Sequence, residues 1–496
     1  MPAGDRLDHI LTTAGREHAS RPAVVDGGRT TTYAQLAEAV DGTARRLAAL
    51  GIRAGTRVGL MMSHGADATI ALFALLRLGA VAAPLQPGDP PARLTRMVTG
   101  GRLSHVLTRS GARLALAADA PPATRVGDQL DCHALGEPGP AGEGGIVLFT
   151  SGSTGVPKGV LLNDGNVLHF VRWVAAEFRL GPHDRVGAQS PLTFDLSTFD
   201  IFATALAGAC AVQLPEHLRG FPRDVVAWLA EQRITVFYAV PTLYHLLLNR
   251  GGLAERPPAD LRIAAFAGEP FAPDLLAHYL RLLPGAAFYN LYGPTETNVC
   301  TWERIPPQWT TDEPITIGRP LPGMAAVLLD EAGGPADEGE LFVSGPSVLR
   351  GYLEDGTLRD PARPVLFPDG TRQRAYPTGD RARRLPDGRL LLLGRRDGQV
   401  KRRGIRIELA DVEAALRAVP GVDEGVVVQK TGPHAGQLWA YVRGAEAQVV
   451  LTGLAGVLPR RMLPDRVVPL DRFPTTPHGK TDRRALAAAT FPGGEP

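Results

Sequence analysis

The chain has 496 residues and a net charge of +2, with basic and acidic residues mixed along the sequence. At roughly 100–200 residues per domain this length predicts two to four folding units, and the mixed charge argues against nucleic acid, which requires a concentrated basic face. The three cysteines lie far apart without a CxxC pattern, which predicts a protein of the reducing cytoplasm rather than a secreted disulfide scaffold.

A membrane partner is not expected either. The N-terminus carries Asp5 and Asp8 early and lacks a continuous apolar segment, unlike a signal peptide. The longest apolar stretch, "ITVFYAVPTLYHLLL" (234–248), is too short to span a bilayer and contains Pro241 and His245. We therefore expect a cytoplasmic protein.

Up to about residue 300, apolar strand-like runs alternate with amphipathic helical stretches. The sequence predicts a helix at 32–50, a strand at 57–62 and a helix at 68–81, and the pattern then repeats. This alternation predicts an α/β fold of βαβ units with mostly parallel sheets. Ligands of such sheets bind in loops beyond the carboxyl ends of the strands.

From about residue 315 the pattern changes to short strands separated by Gly, Pro and Asp turns, as in "AAVLLDEAGG", which predicts a small β-rich subdomain. After a basic strand-turn, "VKRRGIRIEL", a helix at 410–419 and a strand at 425–430 predict a separate α+β domain. We expect the boundary near "GRRDGQ", with residues 1–396 as the N-terminal core and residues 397–496 as a small C-terminal domain.

The stretch "LFTSGSTGVPKGV" (148–160) combines glycines, hydroxyl side chains and one lysine behind an apolar run. Glycine lets backbone N–H groups approach oxygen atoms closely, so the stretch has the parts of a phosphate-binding loop. It is not a Walker A loop, because Gly159 rather than Ser or Thr follows Lys158. Gly479 opens the chain's one GK(S/T) tripeptide, but Pro474 stands where such a loop needs its first glycine. On these residues alone, a turn and a phosphate site both remain open.

The string "TSGSTGVPKG" resembles the phosphate loop of the adenylate-forming (ANL) superfamily, which includes acyl-CoA synthetases, luciferases and the adenylation domains of nonribosomal peptide synthetases. Six further motifs similar to those of the superfamily follow in order: "FDLSTFDIF", "NLYGPTET", "GELFVSGPSVLRGY", "YPTGD", "GRRDGQVKRRGIRIELADVE" and "PHGKTDRR". The resemblance covers nearly the whole chain. It implies the ANL fold, with a mobile C-terminal lid, and attack of a carboxylate on the α-phosphate of ATP to give an acyl-adenylate and pyrophosphate.

The resemblance also implies which residues hold ATP. The implied set is Thr150, Ser151, Thr154, Lys158, Asn290, Tyr292, Gly293, Thr295, Asp380 and Arg395. Among them Tyr292 would stack on adenine, and Asp380 would accept hydrogen bonds from both ribose hydroxyls. For Thr150, closure of a turn remains an equal alternative. Glu296 would bind Mg²⁺, a hard cation that prefers carboxylate and phosphate oxygens.

Lys480, in "HGKTDR", is implied as the catalytic residue. A compact ammonium can bridge the substrate carboxylate and ribose oxygens while offsetting the charge that builds up at the α-phosphate. His478 stands where the superfamily usually has asparagine. Asp397 matches the hinge position, about which the small domain pivots between two half-reactions.

Asp195 indicates which carboxylate is activated. Amino-acid-activating members of the superfamily resemble this chain in having an aspartate here, which pairs with the substrate ammonium. Beside a fatty or aryl acid, an unpaired buried carboxylate would be costly. The other pocket positions that the motifs imply offer little to a polar side chain: Leu196, Phe199, Tyr238, Ala265, Ala267, Leu291, Val299 and Cys300. This pocket resembles that of stand-alone proline-activating enzymes of pyrrole biosynthesis, from which Phe199 and Ala265 differ, so L-proline is the predicted substrate.

The partner implied by the resemblance is a separate peptidyl carrier protein, because the sequence after "HGKTDRR" is too short for a carrier domain. Its phosphopantetheine thiol would enter past Gly404. A ligase for D-alanine or another small aliphatic amino acid remains an alternative. An acyl- or aryl-CoA ligase is a third, against which Asp195 argues, and an inactive homologue is disfavoured by the intact Lys480, Glu296 and Asp380.

Overall fold

The structure is a computed structural model and describes residues 6–116, 121–137, 139, 142–151, 157–395, 399–402, 405–475 and 481–489. We call residues 6–395 the large lobe and residues 399–489 the small lobe. Within the described ranges, no helix combines the length and the apolar character that a membrane span requires. All three cysteines are buried and unpaired.

The α-helices of the described residues are α1 (Leu7–Glu17), α2 (Tyr33–Ala49), α3 (Ala66–Arg77), α4 (Pro91–Gly101), α5 (Asp164–Glu177), α6 (Thr204–Leu206), α7 (Pro222–Glu231), α8 (Pro241–Arg250), α9 (Pro273–Leu282), α10 (Leu409–Arg417), α11 (Ala447–Ala455) and α12 (Arg483–Ala488). A π-helix at Phe199–Ala203 runs directly into α6.

The strands are β1 (Pro22–Asp26), β2 (Arg29–Thr32), β3 (Arg57–Met61), β4 (Val81–Leu85), β5 (His105–Arg109), β6 (Ala123–Gly127), β7 (Leu130–Ala134), β8 (Gly145–Thr150), β9 (Lys158–Leu162), β10 (Arg185–Ala188), β11 (Cys210–Gln213), β12 (Val236–Ala239), β13 (Ile263–Phe266), β14 (Ala287–Tyr292), β15 (Thr301–Ile305), β16 (Arg319–Pro320), β17 (Ala325–Leu329), β18 (Pro335–Ala336), β19 (Glu338–Ser344), β20 (Gly351–Glu354), β21 (Thr357–Arg359), β22 (Arg363–Leu366), β23 (Arg372–Arg384), β24 (Leu390–Arg395), β25 (Gln399–Arg402), β26 (Ile405–Glu408), β27 (Glu424–Gln429), β28 (Leu438–Arg443) and β29 (Arg466–Pro469).

Two nine-stranded sheets form most of the large lobe, in the orders β16-β15-β14-β13-β12-β10-β11-β1-β2 and β21-β20-β9-β8-β4-β3-β5-β7-β6. Their central strands pair in parallel, as predicted, for example β12 with β13 and β13 with β14. The outer pairs are antiparallel, including β14 with β15 and β5 with β7. The predicted parallel arrangement therefore holds for the centres of the sheets, where the strands carry their site residues at their carboxyl ends.

The predicted helices and strands of the N-terminal part are present, with one boundary displaced. Helix α2 begins with a capping box in which Thr32 and Gln35 satisfy each other's backbone N–H groups. Helix α3 ends at Arg77 rather than continuing to 81, because Gly79 adopts a positive φ of 66° and directs the chain into β4. The apolar stretch 234–248 is divided between β12 and α8, and the first residue of α8 is a proline.

The β-rich part is a six-stranded sheet made of β17, β18, β19, β22, β23 and β24. The small lobe contains the hairpin β25–β26 and the sheet β27-β28-β29. Its apolar residues form two clusters of their own, one centred on Ile407, Val412 and Leu438 and one on Trp439 and Tyr441. Because these clusters share no residue with those of the large lobe, contact between the lobes depends on other groups.

Candidate functional site

A small cavity of about 110 Å³ lies between the lobes, at the carboxyl ends of the parallel strands. Large-lobe residues supply most of its wall, including Thr150, Ser151, Asp195, Tyr238 and Thr295. The small lobe closes it with Lys401, Arg406, Arg461 and Met462. The structure therefore brings together residues from four of the sequence motifs and from both lobes.

Asp195 lies in the turn that precedes the π-helix and faces this cavity. Thr198 fixes the turn, because both its N–H and its hydroxyl donate to the Asp195 carbonyl, at 2.9 and 2.6 Å. Burial raises the pKa of the Asp195 carboxyl to about 6, although the positive charge of Lys401 and a hydrogen bond from Thr295 act in the opposite direction. A carboxylate held in this way gains from a cation that enters the cavity.

The residues predicted to surround the amino acid divide into two groups. Asp195, Leu196, Tyr238, Ala267 and Val299 line the small cavity. By contrast, Phe199, Ala265 and Cys300 are fully buried and line neither this cavity nor the one beside it, while Leu291 lines the neighbouring one.

Phe199 acts on the cavity through its neighbour rather than by direct contact. Its ring packs edge-on against the ring of Tyr238, with centroids 5.5 Å apart and planes at 89°. On its other side it packs against Phe178 at 5.8 Å. Phe199 therefore fixes the position of a lining side chain, and its predicted direct contact with substrate is corrected to this supporting one.

A second cavity of about 910 Å³ adjoins the first and contains the residues predicted to bind the nucleoside. The hydroxyl of Tyr292 donates to Asp380 Oδ2 at 2.6 Å, and Arg395 Nη1 donates to Asp380 Oδ1 at 3.1 Å. Asn290 donates to the Thr316 carbonyl at 2.7 Å, which fixes its side chain beside Tyr292. Each carboxylate oxygen of Asp380 can accept a further hydrogen bond, so the group retains capacity for hydroxyl donors.

Gly293 must be glycine for a steric reason. A Cβ at this position would lie 1.5 Å from the carbonyl oxygen of Asn298, which excludes any side chain. Asn298 itself adopts a left-handed conformation with φ of 51°, and its amide donates to Thr198 Oγ1 at 3.1 Å. The glycine therefore lets the loop with Thr295 fold tightly against the turn that holds Asp195.

Lys401 lies where the two cavities meet, since it lines both. Its ammonium lies 5.7 Å from the centroid of the Tyr292 ring. Burial lowers the pKa of the Lys401 ammonium, and the charges of Asp380 and Asp195 only partly oppose this effect. The group is therefore a compact cation at the junction, close to the places predicted for ribose and for the substrate ammonium.

The sequence motifs did not predict a role for Lys401, although the small number of lysines in the chain pointed to it. The chain has four lysines, Lys158, Lys401, Lys430 and Lys480, among 53 basic residues, which leaves 53 − 4 = 49 arginines. In a chain that uses arginine for nearly all of its positive charge, a lysine is a candidate for a position that needs a compact ammonium. Lys430 meets such a need by donating to the carbonyls of Leu486 and Ala489, at the end of α12.

Glu296 is fully buried and its carboxylate is occupied in this arrangement of the lobes. Arg406 Nη1 donates to both of its oxygens at 2.9 Å, and the Tyr352 hydroxyl donates to Oε1 at 2.7 Å. Burial opposes ionisation of Glu296, but Arg406 and Tyr352 more than offset it, so the pKa of this carboxyl lies below its ordinary value. The guanidinium therefore holds the edge of the carboxylate that a Mg²⁺ ion would need, and this arrangement does not fit the metal.

Among the phosphate-loop residues that the structure describes, Ser151 contacts the small lobe. Ser151 Oγ donates to the carbonyl of Arg406 at 3.1 Å and accepts from the backbone N–H of Glu408 at 3.2 Å. Lys158 lies on β9 with its ammonium 5.5 Å from the Tyr352 ring centroid and does not line the cavity. Strand β26 therefore occupies the side of the loop that was predicted to bind phosphate.

Ion pairs join the lobes beside the cavity. Arg461 donates to both oxygens of Asp89 at 2.6 and 2.8 Å. Arg93 and Asp411 are each 3% exposed and face one another across the interface at 3.9 Å. Burial lowers the pKa of Arg93 and raises that of Asp411. Charged groups rather than apolar packing thus fix the lobe arrangement, as is typical of interfaces that can separate.

Four predicted residues, Thr154, Asp397, Gly404 and Lys480, lie outside the described residues. Thr475 and Thr481, which flank the segment with Lys480, pair as an isolated bridge. Neither lines the two cavities of the site. The roles predicted for the four residues therefore stay predictions.

Comparison with known proteins agrees with these observations. A family profile described as "AMP-binding enzyme" matches residues 11–353. The chain is 37% identical to an L-proline–[L-prolyl-carrier protein] ligase of Streptomyces coelicolor, over 95% of this chain and 94% of that one. It is 34% identical to a protein of the same name from Pseudomonas fluorescens, over 97% and 98% respectively. Among solved structures, holo-PA1221, an NRPS protein containing adenylation and PCP domains, superposes with a TM-score of 0.82 at 25% identity, covering 97% of this chain and 84% of that one.

Proposed function

The chain belongs to the AMP-binding enzyme family, and we propose that it uses ATP to activate an apolar α-amino acid, foremost L-proline, and then transfers the aminoacyl group to the phosphopantetheine thiol of a separate carrier protein. The observation that carries this proposal is Asp195, the one acidic side chain among the described residues that line the small cavity between the lobes, where Leu196, Ala267 and Val299 supply an apolar wall. Near-full-length similarity to two proline–carrier protein ligases supports the choice of proline.

In the first step a substrate carboxylate oxygen attacks the α-phosphorus of ATP, a P–O bond forms, and pyrophosphate leaves. Asp195 holds the substrate ammonium, which points the carboxylate toward the junction of the two cavities. Tyr292, Asp380 and Arg395 hold the nucleoside in the larger cavity. The reaction requires positioning and charge stabilisation more than covalent help. Mg²⁺ would neutralise phosphate charge, but Glu296 could hold it only while Arg406 is away from the carboxylate.

In the second step the thiolate of the carrier arm attacks the carbonyl carbon of the aminoacyl-adenylate. A C–S bond forms, the C–O bond to AMP breaks, and AMP leaves with the electron pair. A further interlobe cavity of about 380 Å³, lined by Gly88 and Arg460, shares Thr193, Phe194 and Arg461 with the substrate cavity. This continuity supports entry of the arm from that side.

We assign residues 1–396 to a core that binds ATP and amino acid and residues 397–496 to a mobile lid with Lys480 as the catalytic residue and Asp397 as the hinge. Separate apolar clusters in the two lobes and an ionic interface support movement. The lobe arrangement described above suits the second step, because Lys401 fills the junction of the cavities. Three unpaired cysteines support a cytoplasmic setting.

The test of the function is amino-acid-dependent ATP–pyrophosphate exchange. We expect the largest signal with L-proline and weaker signals with pipecolate, L-alanine, D-alanine and valine. Exchange that is strongest with D-alanine would identify the D-alanine ligase alternative. Exchange with a fatty or aryl acid alone would contradict the role of Asp195.

Arg461→Gln is predicted to separate the two steps. It breaks the ion pair with Asp89 that holds the described lobe arrangement, so carrier loading should fall at least about tenfold, since truncating one partner of a buried charge pair costs about 2–5 kcal/mol. ATP–pyrophosphate exchange should change less than about twofold. Loading is measured by mass spectrometry of the carrier protein.

Arg417→Gln, which alters an exposed arginine of the same lobe, is the matched control and should leave both steps unchanged. Equal losses of exchange and loading in Arg461→Gln would show that the Asp89 pair supports the whole fold rather than one lobe arrangement.

A further inference from the structure

The contacts of Glu296 support an inference that goes beyond the proposed function and also rests on it. We propose that the Arg406 guanidinium takes the place of the divalent cation at Glu296, so that metal binding and the described lobe arrangement exclude each other. Arg406 would then be a positioning residue, because the small lobe could dock only after the metal has left Glu296.

The geometry at the carboxylate supports this exclusion. One nitrogen of Arg406 lies 2.9 Å from each oxygen of Glu296, and so spans the edge between them. The Tyr352 hydroxyl holds Oε1 from another direction and is itself within 2.9 Å of the Tyr376 hydroxyl. Glu296 has no exposed surface. A dication brought to this buried carboxylate would meet a guanidinium of the same sign of charge, with little water to screen the repulsion.

The small lobe delivers Arg406 together with its backbone. Arg406 lies on strand β26, and Ser151 of the phosphate loop accepts from the N–H of Glu408 and donates to the carbonyl of Arg406. One strand therefore occupies both the carboxylate predicted to bind metal and a hydroxyl predicted to bind phosphate. Pyrophosphate and its metal must leave before this strand can dock, which fixes the order of the two half-reactions.

The proposal predicts thermodynamic linkage between metal binding and docking of the small lobe, which can be measured. If metal binds only when Arg406 is away from Glu296, then locking the lobes together must weaken metal binding. Gln86 and Arg460 line one interlobe cavity, from the large and the small lobe respectively. Because the native cysteines are buried, Gln86→Cys with Arg460→Cys places one new thiol on each lobe at the same cavity, as the pair for a bismaleimide cross-link.

The experiment measures Mn²⁺ binding by electron paramagnetic resonance in the presence of AMP, before and after cross-linking. We expect cross-linking to weaken Mn²⁺ binding at least about tenfold in the parent pair and less than about threefold in the same pair carrying Arg406→Gln. The cross-link holds the lobes, so loss of Arg406 does not dissolve the arrangement. AMP binding in EDTA, followed in parallel, reports whether the nucleotide site is intact.

Asp89→Asn is the matched control, because it removes an interlobe ion pair that does not touch Glu296. Its cross-linked form should still bind Mn²⁺ weakly. Unchanged Mn²⁺ affinity in the cross-linked parent would overturn the proposal, and so would equal weakening in Arg406→Gln, which would assign the exclusion to lobe docking itself. Proline-dependent exchange is a separate measurement, so an enzyme specific for another amino acid would fail that test and still pass this one.

Discussion

Asp195→Asn will lower kcat/KM for L-proline in ATP–pyrophosphate exchange by roughly 100-fold, with most of the effect in KM. Truncating one partner of a buried charge pair costs about 2–5 kcal/mol, and each 1.4 kcal/mol corresponds to a factor of ten. Asparagine keeps the size of the side chain and its hydrogen bond with Thr295, so the loss reports the charge. AMP affinity, measured by calorimetry, should change less than about twofold.

Asp200→Asn is the matched control for this prediction. Asp200 belongs to the same motif and is fully buried, but it lines neither cavity of the site and accepts from the backbone N–H of Ser190 at 3.0 Å. Its effect on kcat/KM for L-proline should be at least about tenfold smaller than that of Asp195→Asn. Equal effects would mean that the motif acts through its packing rather than through the Asp195 charge.

The pH dependence follows from the same group. Burial raises the pKa of the Asp195 carboxyl to about 6. The substrate amino group, by contrast, is protonated at all pH values below about 7. The KM for proline should therefore rise as pH falls through about 6, and Asp195→Asn should abolish this rise. Because the pKa is raised, ionised Asp195 costs folding stability above pH 6, and this cost disappears as pH falls toward the ordinary value of 3.8. Protonation of Asp195 should therefore not contribute to acid unfolding.

Local sequence determined much of the fold and the large-lobe part of the site. The capping box at Thr32 and the proline that opens α8 are short-range signals with a direct physical cause. Tyr238 and Ala265 occupy paired positions on adjacent parallel strands, so alternation of strands and helices was enough to predict that their carboxyl ends meet. The large-lobe residues of the site were assigned from the resemblance of the motifs to those of the adenylate-forming superfamily, and the structure places several of these motifs at such strand ends.

The remaining features depend on contacts that no local pattern encodes. Lys401 and Arg406 belong to a run of basic residues typical of a solvated strand, and they enter the site only because the small lobe docks against Glu296 and Ser151. Likewise, a motif gives the position of Phe199 but not the direction of its side chain. The π-helix that begins at Phe199 departs from the 3.6-residue period on which such directions are predicted.

The two lysines of the proposed site should divide the reaction between them. Lys480→Ala is predicted to reduce proline-dependent exchange to near background, since Lys480 is the proposed catalytic residue of adenylate formation. Lys401→Ala should leave exchange within about threefold of the parent but slow single-turnover transfer to the carrier thiol by roughly 100-fold, because an ammonium at the junction of the cavities stabilises the charge on departing AMP.

Charge-preserving variants distinguish this role from simple structural support. Lys401 lies in a buried junction that suits a compact ammonium, whereas guanidinium is planar and larger. Lys401→Arg should therefore recover less than about a tenth of the lost transfer rate, although it keeps the positive charge. Full recovery by arginine would mean that any cation is sufficient.

Loss of exchange in Lys401→Ala, together with full exchange in Lys480→Ala, would reverse the two assignments. Rapid-quench loading of a carrier protein with preformed prolyl-adenylate isolates the second step, since ATP and Lys480 are then not required.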